Sequence, residues 1–411
     1  MSWPVVTLGE VAETALGKML DKGKRRGLPM VPYLRNVNVQ WGGISTDDLL
    51  EMELADDDRA RFGIEAGDLL VCEGGEIGRC AIWSGRADYI AYQKALHRVR
   101  PSEWVDIRFL RYLFEFHSTT GTLAKFATGS TIAHLPQQQL RKLPVPLPAV
   151  DEQRRIVEIL EDHLWRLDAA ARNLKTASRR LKALESSLLE RYFAGGELVP
   201  LDTMVTDISA GKSFGTANAP AADGEWGIIK VSAMTWGEFK PEENKAVSAG
   251  NINPRFEIHE GDLLVSRANT ADYVGASVLV GAVRQRLLLS DKSLRLTPAN
   301  DIDSEWLWRA LQAPSARRQL TNLATGTKDS MRNISQVALR RVMLPRRDKS
   351  MQMKALDAYR GGSSAAASLQ GQLIRNERML QQLRTSLLTA AFSGRLTRDR
   401  QHLDTEELVS L

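Results

Sequence analysis

Between Asp151 and Phe193 apolar side chains recur at steps of three and four, with one step of seven: Ile156, Leu160, Leu164, Leu167, Ala171, Leu174, Leu181, Leu184 and Leu188. That spacing lays one apolar stripe along a helix and predicts a coiled-coil-like segment. Pro144, Pro146 and Pro148 stop the chain before it, Asp151 stands near its start, and Gly195-Gly196 ends it. A second stripe, Leu356, Leu373, Leu380, Leu383 and Leu387, runs from about Met351 to Phe392 and ends at Gly394. Gly361-Gly362 and a Ser/Ala run interrupt it. Glycine costs about 1 kcal/mol relative to alanine inside a helix, which predicts a kink or a broken first turn there. Elsewhere short runs such as VPYLRNVNV, DLLVCEGG and ALHRVRP are bounded by Gly, Pro and Asn, as strands are. A helix of roughly 40 residues is about 60 Å long, too long to bury its stripe on one small domain. The two helices are therefore expected to pack on each other, antiparallel, with each helix binding a separate partner as the alternative.

The chain also repeats itself. GDLLVCEGGEIGRCAIW from Gly67 returns as GDLLVSRANTADYVGASVLV from Gly261. YQKALHRVRP from Tyr92 is echoed by LSDKSLRLTP from Leu289. ATGSTIAHLPQQQLRKLPVPLP from Ala127 is echoed by ATGTKDSMRNISQVALRRVMLP from Ala324, and LKALESSLLERYFAGGEL from Leu181 by LQQLRTSLLTAAFSGRL from Leu380. The matches are collinear at an offset of roughly 195 to 200 residues, so the chain reads as a tandem duplication of one domain-sized unit rather than a solenoid. This predicts an α+β fold with pseudo-twofold symmetry: two mixed α/β domains separated by two long helices in an antiparallel coiled coil. The boundaries fall at 1–150, 151–196, 197–348 and 349–396, with a tail at 397–411.

Composition adds little. With 411 residues and 43% hydrophobic positions the chain can build two cores, and a formal charge of +5 is too mild to prove nucleic-acid binding. Cys72 and Cys80 match no zinc spacing, and so few cysteines fit cytosolic usage, although a disulfide between them is compatible with their spacing. The N-terminus lacks the features of a signal peptide, and no apolar run approaches the roughly 20 residues that span a bilayer. A cytoplasmic protein with no membrane partner is expected.

No nucleotide loop, nucleophile elbow or zinc helix is present, and His97, His117, His134, His163, His259 and His402 form no ligand-spaced pair. Asp223, Glu243 and Lys245 imitate a metal-dependent nuclease, yet a charged turn accounts for them more simply. No catalytic residue, metal site or bound cofactor is expected. Basic and amide side chains are more informative, because Arg, Asn, Gln and Lys read base edges while Ser, Thr and Lys hold phosphates. The candidates in the first half are Lys24, Arg25, Arg26, Arg35, Asn36, Asn38, Lys94, Ser130, Thr131 and His134. Those in the second half are Lys212, Arg267, Asn269, Lys292, Thr327, Lys328, Arg332 and Asn333. The two glycine-polar loops, from Gly129 and from Gly326, occupy equivalent positions in the repeat, and Lys94 and Lys292 are read as equivalent.

The string from Ala127 to Leu160 combines an A-x-G-S loop, an L-P-x-P-x-P exit and E-Q-x-x-I-V opening a helix. Together with VPYLRNVNV and the Gly67 segment, it resembles the specificity subunits of type I restriction-modification enzymes, over essentially the whole chain. The second half departs: after RRVMLPRRDKSMQMKAL there is no E-Q-R-R-I-V. The resemblance implies two target-recognition domains, each reading one part of a split, asymmetric target in double-stranded DNA, with the helices setting the spacer. It implies two modification subunits that carry S-adenosylmethionine and methylate adenine. Two restriction subunits using ATP and Mg could join them. The chain itself would carry no chemistry. The rival readings are a recognition subunit of a related modification or defence system, an enzyme with an unrecognised site, and a coiled-coil scaffold.

Overall fold

The computed structural model describes residues 3–20, 27–85, 88–129, 133–217, 219–235, 237–248, 252–328 and 331–397, with backbone only at 327–328. Strands β1 (Ala12–Leu16), β2 (Leu69–Cys72), β3 (Cys80–Ile82) and β4 (Leu96–Pro101) come first, followed by helix α1 (Ile107–Thr119) and the 44-residue helix α2 (Val150–Phe193). Strands β5 (Val205–Ala210), β6 (Leu263–Ser266), β7 (Ser277–Leu279) and β8 (Ser293–Pro298) follow. Helices α3 (Ser304–Gln312), α4 (Pro314–Leu323) and the second 44-residue helix α5 (Lys349–Phe392) complete the set. Contacts group the chain into two units, Met1–Leu174 with Ile374–Leu411, and Lys175–Leu373. Each unit therefore owns one half of α2 and one half of α5.

In the first unit the antiparallel sheet has the order β1-β4-β2-β3. Alternation along β2 divides its side chains: Leu69 and Val71 face one core, Leu70 and Cys72 another. The first core is covered by α1, whose Phe109, Leu110, Leu113 and Phe114 are buried, and whose start is capped by Asp106 accepting from the amides of Arg108 and Phe109. Ile156, Val157, Leu160 and Leu164 of α2 enter the same core, as do Leu387, Leu388 and Phe392 of α5. The Phe392 ring lies 5.1 Å from Phe109 and 5.2 Å from Phe116. Glu152 meets Thr397 and Asp168 meets Arg384, so residue numbers rise on one helix as they fall on the other: the halves run antiparallel. Asp68, in the Gly-Asp-Leu-Leu string, is buried and accepts from the Arg100 guanidinium at 2.7 Å and 2.9 Å.

The second unit repeats this plan with sheet order β5-β8-β6-β7. Trp306 and Leu307 of α3 cover one face, together with Ala316 and Leu320 of α4, Phe193 of α2, and Leu356 and Tyr359 of α5. Asp303 caps α3 as Asp106 caps α1. Asp262 pairs with Arg295 at 2.9 Å. The expected duplication is thus present in topology, capping and core.

Two expectations are corrected. Helix α5 runs unbroken from Lys349 through Phe392, so the expected broken turn does not occur at Gly361-Gly362. A Cβ on Gly362 would sit 3.2 Å and 3.3 Å from the methyl carbons of Leu188 on α2, so the missing side chain admits a close helix crossing whose packing offsets the propensity cost. Cys72 and Cys80 are buried free thiols assigned to different cores, on opposite faces of their sheet, which rules out the disulfide left open by their spacing. Among the described residues no helix is long and apolar enough to cross a membrane.

Candidate nucleic-acid interface

In the second unit the candidate residues come from three places that the sheet order brings to one end. Strand β5 ends at Ala210, and Gly211-Lys212 follow. A Cβ at Gly211 would fall 2.2 Å from the Leu289 carbonyl oxygen, so only glycine lets the chain cross the turn that leads into β8. Lys292 stands in that turn. Beyond the end of β6, the Arg267 amide donates to the Lys292 carbonyl at 2.8 Å, and the Ile334 amide donates to the Arg267 carbonyl at 2.9 Å. Ala268–Asn269 then pairs with Met331–Asn333, which pairs back on Thr325–Lys328 to make a three-stranded ribbon. Lys212, Lys292 and Asn333 are exposed, while Arg267, Asn269 and Arg332 are half-buried. Arg332 donates to the Gly326 carbonyl at 2.9 Å, and the Asn269 side-chain oxygen accepts from the Thr270 amide. Thr327 and Lys328 are described by backbone alone, as part of the ribbon.

The same end of the first unit is built alike. Gly17 approaches the Gln93 carbonyl as Gly211 approaches Leu289, with a built Cβ at 2.3 Å. The Glu73 amide donates to Ala95, and Leu135 donates to Glu73 at 2.7 Å. Thr128 and His134 exchange two backbone bonds of 2.8 Å, closing the loop from Gly129 beside Gly74. His134 is exposed, with Nδ1 3.3 Å from the Glu73 carboxylate. Lys94 is exposed in the turn.

The first unit also holds the Arg35 cluster. Arg35 pairs with Asp48 at 2.6 Å, and Asn36 lies beside Gly75. Asn38 is not presented to a ligand: it is 3% exposed, and its amide accepts from the Arg35 backbone and donates to the Asp48 carbonyl. Lys24, Arg25, Arg26, Ser130 and Thr131 lie outside the described residues.

The bonding register corrects one equivalence. Arg267 donates to Lys292 where Glu73 donates to Ala95, so Lys292 matches Ala95 and Lys94 matches Asp291. Both lysines occupy the turn, one residue out of step. The same register places Glu73 opposite Arg267 and His134 opposite Asn333. The two ends thus share a frame but present different chemistry, a carboxylate with an imidazole in one and a guanidinium with an amide in the other.

The nuclease-like pattern is accounted for locally. Glu243 accepts from the Ser232 hydroxyl at 2.6 Å and from Lys230, and these bonds hold its carboxyl below the usual range. Among the described residues no group of three or more His, Cys, Asp or Glu is placed to hold a metal ion. Of the histidines, His97 and His117 donate through Nε2 to the carbonyls of Leu135 and Pro144, each at 2.8 Å. Burial lowers the pKa of both.

Sequence reasoning missed Gln352. It occupies in the second unit the place that Gln153, of the E-Q-R-R-I-V string, occupies in the first, with the same three bonds. Met351 and Met353 flank it where Glu152 and Arg154 flank Gln153. The second half therefore departs at the flanking residues and at the buried pair Ile156-Val157, replaced by Ala355-Leu356, while the glutamine is kept.

Comparison with known proteins agrees with this architecture. Residues 1–175 match the family model described as type I restriction modification DNA specificity domain. The chain is 27% identical over 202 residues to the type I restriction enzyme EcoEI specificity subunit of Escherichia coli, covering 48% of this chain and 34% of that protein. It is 22% identical over 324 residues to the type I restriction enzyme EcoKI specificity subunit of Escherichia coli K12, covering 73% of this chain and 68% of that protein. The chain thus aligns with about a third of the EcoEI subunit's length. A chain from a solved structure on complex assembly and conformational transition of the type I R-M system shares the fold, with a TM-score of 0.71 at 19% identity over 96% of this chain and 98% of that one. Residues 1–175 are thus similar to the type I restriction modification DNA specificity domain, and a unit with the same sheet order follows them.

Proposed function

We propose that this chain is the DNA-recognition subunit of a type I restriction-modification complex, each unit reading one part of a split, asymmetric target. One observation carries the reading. The same sheet end, with the same glycine-backed turn and matching backbone bonds from an adjoining segment, is built in both units and carries different polar side chains in each. A duplicated frame with unlike contacts suits two unlike half-sites, because base identity is read by the side chains and position by the frame. Two linked modules gain avidity from effective concentration, so each interface can be modest. Lys212, Lys292, Arg332 and Asn333 are the contacts assigned to the second half-site, and Lys94, Asn36 and His134 to the first.

In this reading the chain binds no cofactor and catalyses nothing. Two modification subunits supply S-adenosylmethionine and methylate adenine. Restriction subunits that use ATP and Mg join the assembly, which works in the cytoplasm. Helices α2 and α5 set the spacer between half-sites.

The test is single-molecule methylome sequencing of cells expressing the chain with its modification subunits. A bipartite, asymmetric methyl-adenine motif that disappears when this chain is deleted supports the reading. An active modification subunit whose pattern ignores the deletion overturns it.

A further inference from the structure

Gln153 and Gln352 are both completely buried. The Gln153 amide oxygen accepts from the Asp106 backbone at 2.8 Å, and its nitrogen donates to the Trp104 and Pro148 carbonyls, each at 2.9 Å. The Gln352 oxygen accepts from the Asp303 backbone at 2.8 Å, and its nitrogen donates to the Asp301 and Arg347 carbonyls at 3.0 Å and 2.8 Å. Both donors of each amide are used. Each triad ties together three segments of its own unit: the first turn of a long helix, the linker that feeds it, and the loop that starts the sheet-covering helix.

The loop residue is the same in kind in both units. Asp106 and Asp303 give their backbone N–H to the glutamine while their carboxylates cap α1 and α3. The start of the long helix and the start of the domain's own helix are thus pinned to one point. The rest of the junction combines apolar packing, Ile156, Val157 and Leu160 with Phe109 and Leu356 and Tyr359 with Trp306, with partly exposed ion pairs, Arg108 with Glu161 and Arg360 with Glu305. Apolar contact is non-directional and tolerates small slides and rotations. Three directional bonds to a buried amide do not, because leaving one unmade carries the full desolvation penalty.

We propose that Gln153 and Gln352 are positioning residues that fix the angle and register of each recognition half on its long helix, and so fix the spacer length the protein accepts between half-sites. The proposal rests on the DNA-recognition reading above. The glutamines touch no DNA, so half-site sequence is independent of them. A change of one base pair in the spacer shifts and rotates one half-site relative to the other, as in other two-site readers. A junction able to yield would accept it.

The experiment is the same methylome assay, run on cells carrying the whole chain with its modification subunits. It compares wild type, Gln153→Met, Gln352→Met and Leu160→Ala. Methionine keeps the volume and removes the three bonds. Leu160→Ala loosens the same junction through its apolar side. The expected result is unchanged half-sites in both methionine variants, with methylation at spacers one base pair longer or shorter raised about tenfold over wild type. Leu160→Ala is expected to lower stability yet keep the spacer. Uniform loss of methylation without broadening overturns the proposal, as does equal broadening in Leu160→Ala. Should a methionine variant fail to accumulate, Gln153→Leu or Gln352→Leu, which also removes the three bonds at similar volume, is read in the same way. A wild-type strain without any bipartite motif removes the recognition reading itself, an outcome distinct from a wild-type motif that the variants leave unchanged.

Discussion

Asp68 and Asp262 perform one task with arginines from different positions. Arg98 and Arg295 are equivalent: both donate to the carbonyl that precedes Ile64 or Ile258. In the second unit Arg295 also takes Asp262, whereas in the first Asp68 is taken by Arg100, two residues further along the same strand. The acid is fixed by its turn, where it accepts from the backbone of Glu65 or His259, and the cation reaches it from either position on that face. The buried histidines differ more. His97 stands in the first unit where the second has Leu294, and its Nδ1 has no partner. Adding a proton there buries a charge, and that desolvation outweighs the favourable Leu135 carbonyl and Glu73 carboxylate, so the folded pKa is lowered. In the unfolded chain the imidazole takes up a proton below about pH 6.5. The unfolded state then holds more protons than the folded one, and stability falls as pH drops through that value. His117 acts in the same direction. Thermal unfolding should therefore come at lower temperature near pH 5.5 than near pH 7.5, and His97→Leu should reduce the difference. A melting temperature that rises on acidification across this range would contradict the account.

At the scale of elements, the two neighbouring glycines of α5 should respond oppositely. Gly361 is exposed with nothing within 4 Å of a built Cβ, so Gly361→Ala should stabilise by about 0.5–1 kcal/mol through helix propensity. Gly362 faces Leu188, and Gly362→Leu should destabilise by about 1–3 kcal/mol through overpacking. Urea unfolding of the two variants checks both signs, and equal shifts would mean that the helices do not approach each other there. The stripes of both helices were legible in sequence because a period near 3.6 survives any choice of neighbour. Continuity through Gly361-Gly362 was not, because propensity is local while the compensating contact comes from a residue far away in the chain. Gln352 was hidden for a similar reason. What identifies it is three bonds, and what a sequence comparison weighs is the residues around it, which differ in the two halves.

For the whole molecule, duplication was readable from collinear strings, and the candidate site was readable in part. The residues that flank the two glycine-polar loops, Thr128 with His134 and Thr325 with Asn333, pair at matching places, as their spacing required. Asn38 was misread because an amide in a polar string looks alike whether it faces water or its own backbone. Lys94 and Lys292 were paired by identity, while the ladder of backbone bonds sets them one residue apart. The helices lead to a further expectation. Four residues inserted into α2 and four into α5, at matching points, add about 6 Å to each. The methylated motif should then keep both half-sites and gain a longer spacer. An unchanged spacer in a folded, active insertion variant would detach the helices from that role.

The sequence by itself determined what depends on periodicity and on local chemistry: two apolar stripes, their ends at Asp151, Gly195 and Gly394, strand-rich halves, and their duplication. Those features are carried by neighbours in the chain, so they can be read in one dimension. The tertiary structure alone decided which polar side chains are presented and which are spent. It placed Asn38, Gln153 and Gln352 in buried bonds, and it set Lys212, Lys292 and Asn333 in solvent at one sheet end. A hydrogen bond between residues far apart in sequence leaves no periodic trace, yet a buried polar group must have one. That requirement, met by partners that only the fold brings together, separates the polar residues that build this protein from those left in solvent.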